Sequence, residues 1–376
     1  MKLIMKCNLS QNIPILLSAL IALILIIIPT GYEGALIYQG TQRSTARVLS
    51  TDDTMIISSG LVKTGEQRCN LKILDGEFRG ELVEGFNMLN GSMKSDKIFE
   101  AGDKAYVLIS HDESQILSVS MIDVYRINKE IILAGIFVLL LLIFAGKAGV
   151  RAILSFSVTI LMLWKILVPG YLKGSNPIIL GFIITLILTF IIITLVYGFD
   201  RRSLSAIAGA ALGIVTTGIL GILFTDIFQI NGAVMEYSES LLYSGFENLN
   251  LTQIFMAGIF IGSSGAVIDL AVDITSAVNE VIYKKPDMKW KEALLSGIRI
   301  GRDNVGTMTT TLLLAYSGGY IAMLMVFMAQ GTPIDNIINY KYVAAELLDT
   351  IVGSIGLVTV APFTALTSSF LLTHKN

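Results

Sequence analysis

Asp269, Asp273, Ser276 and Glu280 stand four, three and four residues apart in an otherwise apolar run. That spacing puts the four on one face of a helix. If the run crosses a membrane, a carboxylate at its centre costs roughly 2.5–3.5 kcal/mol even on a lenient insertion scale. Side chains kept there at that cost bind an ion or proton, line a polar path, or form a seam that fixes helix packing. Glu280 falls near the end of the run, where water solvates it. Gly262-Ser263-Ser264-Gly265 precedes the acids, and Gly262 and Gly265 permit a hinge or local unwinding. Further on, Asn304, Thr307 and Thr311 share a second helical face. Their amide and hydroxyls suit cation coordination or interhelical hydrogen bonds, the latter averaging about 0.6 kcal/mol each. Arg302 and Asp303 stand at the cytoplasmic entrance of that run. Glu346 and Asp349, one turn apart, read as a solvated helix start.

Catalysis is a weaker reading of the same residues. Gly262-Ser263-Ser264-Gly265 has the shape of an intramembrane serine-protease motif, but that chemistry needs a base on another helix. The two histidines, His111 and His374, lie outside every apolar segment. Asp269 and Asp273 are on one helix, about 6 Å apart by rise, so an aspartic mechanism needs a third group. No phosphate-binding Gly-x-x-x-x-Gly-Lys-Ser loop occurs. The expectation is no enzyme and no cofactor, with any metal left open.

The elements that must position these residues are mostly membrane helices. The chain of 376 residues is 53% hydrophobic and only 15% charged, with mean hydropathy +0.72; a soluble protein carries roughly 25% charged residues. The net charge of -2 gives no support to a nucleic-acid partner. Cys7 and Cys69 flank the first apolar segment and suggest neither a disulfide framework nor a zinc cluster. A span needs about 20 apolar residues. The candidates are Ile13 to Pro29, then approximately 131–146, 150–169, 178–197, 203–224, 252–280, 305–329 and 350–372. The first, preceded by Lys2 and Lys6, reads as a retained anchor rather than a cleaved signal. Lys165 reads as a snorkelling side chain. Small residues from Ala206 to Gly221 read as a packing surface, and Gly318-Gly319 as a helix interruption.

Residues 31–129 differ. Arg47–Leu49, Met55–Ile57, Leu71–Leu74, Gly80–Val83, Ala105–Ile109 and Ile116–Val124 read as short strands. Leu74-Asp75-Gly76, Asn90-Gly91 and Ala101-Gly102-Asp103 read as turns between them. A small β-barrel or sandwich follows, barrel and OB-like in character. Orientation comes from basic residues in short loops. With the N-terminus inside, Lys147, Arg151, Arg201, Arg202, Lys284, Lys285, Lys289, Lys291, Arg299, Arg302 and Lys375 all fall inside, and only Lys173 and Lys341 fall in short outer loops. Eight crossings satisfy the rule and place 31–129 outside the cytoplasm.

The order of motifs resembles the YibE/F family of bacterial multi-spanning membrane proteins. The resemblance rests on Phe78-Arg79-Gly80 to Asn90, Gly102-Asp103 and Tyr125-Arg126. It rests more firmly on Gly265-Ala266-Val267-Ile268-Asp269 with Asp273 and Glu280, and on Gly301-Arg302-Asp303 through Gly306-Thr307-Met308 to Leu314-Ala315-Tyr316. It implies a bacterial plasma-membrane protein with an outer domain before a polytopic bundle, and supplies no substrate. The expected organisation is an anchor (1–30), an extracytoplasmic β-rich domain (31–129) and a seven-helix membrane domain (130–376). Expected partners are the lipid bilayer, an ion or small solute, and a protein docked on 31–129. The leading function is a secondary transporter or channel-like protein with intramembrane acids at its site. The alternative is a membrane scaffold that presents the outer domain.

Overall fold

The computed structural model describes residues 2–34, 40–112 and 115–374, without the side chains of residues 2–11. Lys2, Lys6 and Cys7 as side chains, and Lys375 altogether, therefore lie outside the described residues. Two compact units divide the chain: Gly31–Phe144, and Met1–Thr30 together with Ala145–Asn376.

The first unit holds a closed five-stranded barrel of order β1-β2-β3-β5-β4. Its strands are β1 (Thr41–Ser59), β2 (Val62–Ile73), β3 (Leu82–Asn90), β4 (Lys104–Asp112) and β5 (Gln115–Val124). Neighbours run antiparallel except β3 and β5, which are parallel, and β1 closes the barrel against β4. Alternating strand residues fill the interior, among them Val48, Leu71, Ile73, Val107, Ile109 and Val119, joined by Phe99 from the segment between β3 and β4. Buried Gln67 crosses this core. Its Nε2 donates to Asp53 Oδ1 (2.8 Å) and the Phe99 carbonyl (2.9 Å), while its Oε1 accepts from Asn87 Nδ2 and the Phe99 N–H (both 3.0 Å). A polar group is tolerated there because every capacity of the amide is used.

The strand boundaries depart from the sequence reading in an instructive way. Arg47–Leu49 and Met55–Ile57 are parts of one strand, bent where the register shifts between Val48 and Ser50 and between Asp52 and Met55. The polar Thr51–Thr54 segment looks like a turn, but the bulges absorb it, with the Thr54 N–H bonded to Asp52 Oδ1 (3.0 Å). The turn that does follow is Gly60-Leu61, between the paired Ser59 and Val62, and Gly60 supplies the left-handed φ of 63°. Leu71–Leu74 overlaps only the end of β2, and Gly80–Val83 only the start of β3.

A helix α2 (Ile127–Ala145) follows β5, with no buried residue. The second unit begins in α1 (Lys2–Ile27) and resumes with α3 (Lys147–Met162), which runs through a π turn at Leu163–Leu167 into α4 (Val168–Leu172). Then come α5 (Pro177–Tyr197), α6 (Arg201–Ile227), short α7 (Ser238–Tyr243), α8 (Leu251–Lys284) and α9 (Trp290–Ser317). A 3-10 turn at Gly318–Tyr320 joins α9 to α10 (Ile321–Ala329), so the Gly-Gly pair does break the α-helical run. Short α11 (Ile334–Asn339) and long α12 (Lys341–Thr373) complete it. Among the described residues seven helical stretches are long and apolar enough to cross a membrane, and α1 adds a shorter apolar stretch, Asn12–Ile27.

Glycine sets how closely the bundle's core helices approach. A Cβ on Gly209 of α6 would stand 2.2 Å from Thr364 Oγ1 and 2.7 Å from Thr364 Cα of α12. Gly213 packs in the same way on Val360 of α12 and Val267 of α8. The sequence's small-residue surface is thus a packing seam. Ser205 Oγ to Ser368 Oγ (2.7 Å) and Thr275 Oγ1 to Ser368 Oγ (3.1 Å) tie the same three helices. Lys165, at the π turn, gives its ammonium to the Ile28 carbonyl just past α1 (2.9 Å).

Candidate functional site

α8 is sorted into two faces. Val267, Leu270, Ala271, Ile274, Thr275 and Val278 are buried against the bundle. Gly258, Gly262, Gly265, Asp269, Asp273, Ser276 and Glu280 are all exposed. The acids therefore point away from the bundle's packed core, along an open strip bounded by neighbours on both sides. On one side the Tyr197 hydroxyl of α5 donates to the Val272 carbonyl (2.6 Å). Its single hydrogen thus engaged, it accepts from Ser276 Oγ (2.6 Å). On the other side, the Tyr316 hydroxyl of α9 reaches over Gly262, where an added Cβ would come within 2.9 Å of it. Glu280 meets Lys284 at 3.2 Å, an exposed i,i+4 pair of little energetic weight. No hydrogen bond or ion pair engages Asp269 or Asp273 among the described residues. α8 runs unbroken through Gly262 and Gly265.

The α9 residues are placed differently. Gly297 and Gly301 let α9 lie against Val278 and Ile274 of α8 and against Ala365 and Ala361 of α12. Thr307 Oγ1 donates to the Asn304 carbonyl and Thr311 Oγ1 to the Thr307 carbonyl (both 3.0 Å). Their hydroxyls are thus engaged by their own backbone, and no hydrogen bond links Asn304, Thr307 or Thr311 to the acids of α8 among the described residues. Arg302 and Asp303 are exposed, but α9 starts at Trp290, so they lie twelve and thirteen residues in, about 18 Å along the axis, and not at the entrance of the helix. The structure brings the two helices together but does not join the two polar sets.

A second group of acids sits where the sequence suggested only solvation. α12 begins at Lys341, so Asp349 lies eight residues in, about 12 Å along the axis. Asp349 Oδ1 is buried and has no hydrogen-bond partner. The Tyr320 hydroxyl donates to Glu346, one turn before it. Tyr316, already over Gly262, is within electrostatic range of both carboxylates. Tyr316 thus lies near both this cluster and the head of the α8 strip.

Residues 133–374 match the family described as YibE/F-like protein. The chain belongs to that family. No curated protein and no solved structure matches it. The family match takes in α8, α9, α12 and both groups of acids. It leaves the barrel outside, along with the motifs read at Phe78–Asn90, Gly102-Asp103 and Tyr125-Arg126. Together with its apolar helices, membership makes this YibE/F-like chain a multi-pass membrane protein. The signal that marked Glu346 and Asp349 was present: Tyr316 and Tyr320 stand one turn apart across the Gly-Gly break. Hydropathy placed the last span at 350, nine residues after the backbone becomes helical, and so left both acids outside it.

Proposed function

We propose that this YibE/F-like protein carries protons or small cations across the bacterial plasma membrane along the open strip of α8. The observation that supports it is a set of unpartnered carboxylates inside apolar helices. Asp349 Oδ1 is buried without a partner, and Asp269 and Asp273 lack one as well. A seam that served packing alone would pair its acids, because removing the charge from water has to be offset. The groups also descend in order. From Gly262, beneath Tyr316, α8 carries the path about 10 Å to Asp269, a further 6 Å to Asp273 and about 10 Å to Glu280. Among the described residues no three acids, cysteines or histidines converge as a metal site. A proton, or a cation that keeps part of its water shell, suits such spaced single carboxylates. With the N-terminus inside, the Tyr316–Tyr320–Glu346–Asp349 cluster opens outward and Glu280 inward, and the barrel is extracytoplasmic. The test is flux in proteoliposomes, comparing wild type with Asp269→Asn and Asp273→Asn. Identical flux in all three removes the assignment.

A second reading, a scaffold that presents the barrel to a protein partner, draws on the β1–β2 hairpin. Met55, Ile57 and Leu61 are exposed there at 59%, 69% and 82%, an apolar patch of the kind that marks interaction sites. The strand order is that of OB-type barrels. Deleting 31–129 separates the two: a transporter retains flux from the bundle, whereas a scaffold loses its phenotype.

A further inference from the structure

A groove of about 450 Å³ runs between α3 and α5, away from the acids. That volume lies within the usual range for small-ligand sites. Its wall is formed by Ala152, Ser155, Phe156 and Thr159 of α3 and by Leu195 and Val196 of α5, with Arg151 at one end. Arg151 is in the second turn of α3, and Thr159 is eight residues on, so the groove extends about 12 Å from the helix end toward the middle of the span. Thr159 Oγ1 donates to the Ser155 carbonyl (3.0 Å), so its hydroxyl hydrogen is already engaged by the helix backbone. The trough is apolar with a cationic mouth.

The simplest account of Arg151 is a helix cap. Its Nη1 donates to the Leu195 and Val196 carbonyls (3.2 Å each), at the free C-terminal end of α5. That account uses one nitrogen of a group with five N–H donors. It fixes the guanidinium and leaves Nε and Nη2 for another acceptor. Lys147, one turn earlier on α3, is exposed and adds a second positive charge. The carboxylate of Asp200, four residues past Val196 in the chain, is already engaged by Arg202 (2.8 Å) and by the Arg201 N–H (2.6 Å).

We propose that this groove binds one anionic phospholipid, an acyl chain along the trough and the headgroup phosphate on Arg151 and Lys147. An apolar channel that opens at headgroup depth beside two cations is complementary to that molecule, and basic pockets between membrane helices bind acidic headgroups. The site rests on the membrane-spanning reading of α3 and α5 and is independent of ion transport.

The test is native mass spectrometry of the full chain purified in detergent. It is titrated with phosphatidylglycerol, with phosphatidylcholine of the same acyl chains, and with inorganic phosphate. Wild type retains one phosphatidylglycerol with about a tenfold preference over phosphatidylcholine. Arg151→Gln loses the preference, and Arg151→Lys keeps part of it. Ala152→Phe, which fills the trough without touching the charge, loses retention of both lipids. Should Arg151→Gln fail to fold because α5 loses its cap, Ala152→Phe still decides. Equal retention of the two lipids, or of neither, overturns the proposal and leaves the groove to bulk lipid or an apolar helix. Displacement of the lipid by inorganic phosphate also overturns it, in favour of a free-anion site. Unchanged retention in Ala152→Phe overturns it in the same way.

Discussion

Asp349→Asn should make the bundle more stable while it stops the protein working. Asp349 Oδ1 is buried and accepts no hydrogen bond. A buried acceptor left without a partner costs about 1–3 kcal/mol, and more when it carries charge. The Glu346 carboxylate, three residues away and bonded by Tyr320, adds like-charge repulsion. Asparagine keeps the shape and removes the charge, so at least about 1 kcal/mol of this penalty is recovered. For a unit of a few hundred residues that is a rise of roughly 2–4 °C in Tm. Trp164 and Trp290 are the chain's two tryptophans and both belong to the bundle, so their fluorescence in a thermal scan reports this unit. Flux in proteoliposomes should fall in the same variant, a trade of function for stability expected where a strained group is kept for use. A Tm lowered by several degrees would mean instead that the carboxylate holds the fold together.

Gln67→Ala strands both backbone groups of buried Phe99 and removes one of the two hydrogen bonds that Asn87 donates, at a cost of about 3 kcal/mol. Burial, with a smaller contribution from the Asp53 charge, pushes the Cys69 thiol up to about 11. Maleimide should therefore reach Cys69 only when the barrel opens, and labelling in a Cys7→Ser background should quicken about a hundredfold in Gln67→Ala. At Asp75, partial burial acts to raise the carboxyl, but hydrogen bonds from Ser44 and Thr45 outweigh it and hold the group below its ordinary 3.8. The stability it lends is complete above the ordinary value and lost as pH falls through the lower folded value. Pepsin cleavage within 41–124 should accordingly begin at a higher pH in Asp75→Asn. Gly209→Ala meets the Thr364 backbone at 2.7 Å and should lower the bundle's Tm by several degrees, about 1–3 kcal/mol of overpacking, whereas Gly258→Ala enters open space and should not.

Hydrophobic run length made the long helices legible, because the bilayer imposes one length on every span. Their ends were less so. The first turns of α9 carry Lys291, Glu292, Arg299 and Arg302, and those of α12 carry Glu346 and Asp349. Hydropathy treats such turns as loop, although the backbone ladder continues through them. The barrel followed from turn residues, yet the bulged β1 did not, since a bulge hides polar residues inside one strand. The shared face of Asp269, Asp273, Ser276 and Glu280 is a consequence of helical period alone and could be read directly. What that face meets depends on which flank of α8 packs inward. Burial of Leu270, Ala271, Ile274 and Val278 decides this, and it turns the acids outward between α5 and α9. The contact of Tyr316 with Gly262 and the orphaned oxygen of Asp349 are products of tertiary packing, which no local spacing encodes.

Uptake of the transported ion by the acids of the α8 strip, as proposed above, would show as charge movement in proteoliposomes adsorbed on a supported membrane, after jumps in proton, sodium, potassium or magnesium concentration. Wild type should give a transient current with at least one of these ions, and Asp269→Asn and Asp273→Asn should each reduce it severely in protein that remains folded. Equal currents in wild type and both variants, or no current from wild type with any of the four, would remove ion uptake from these acids.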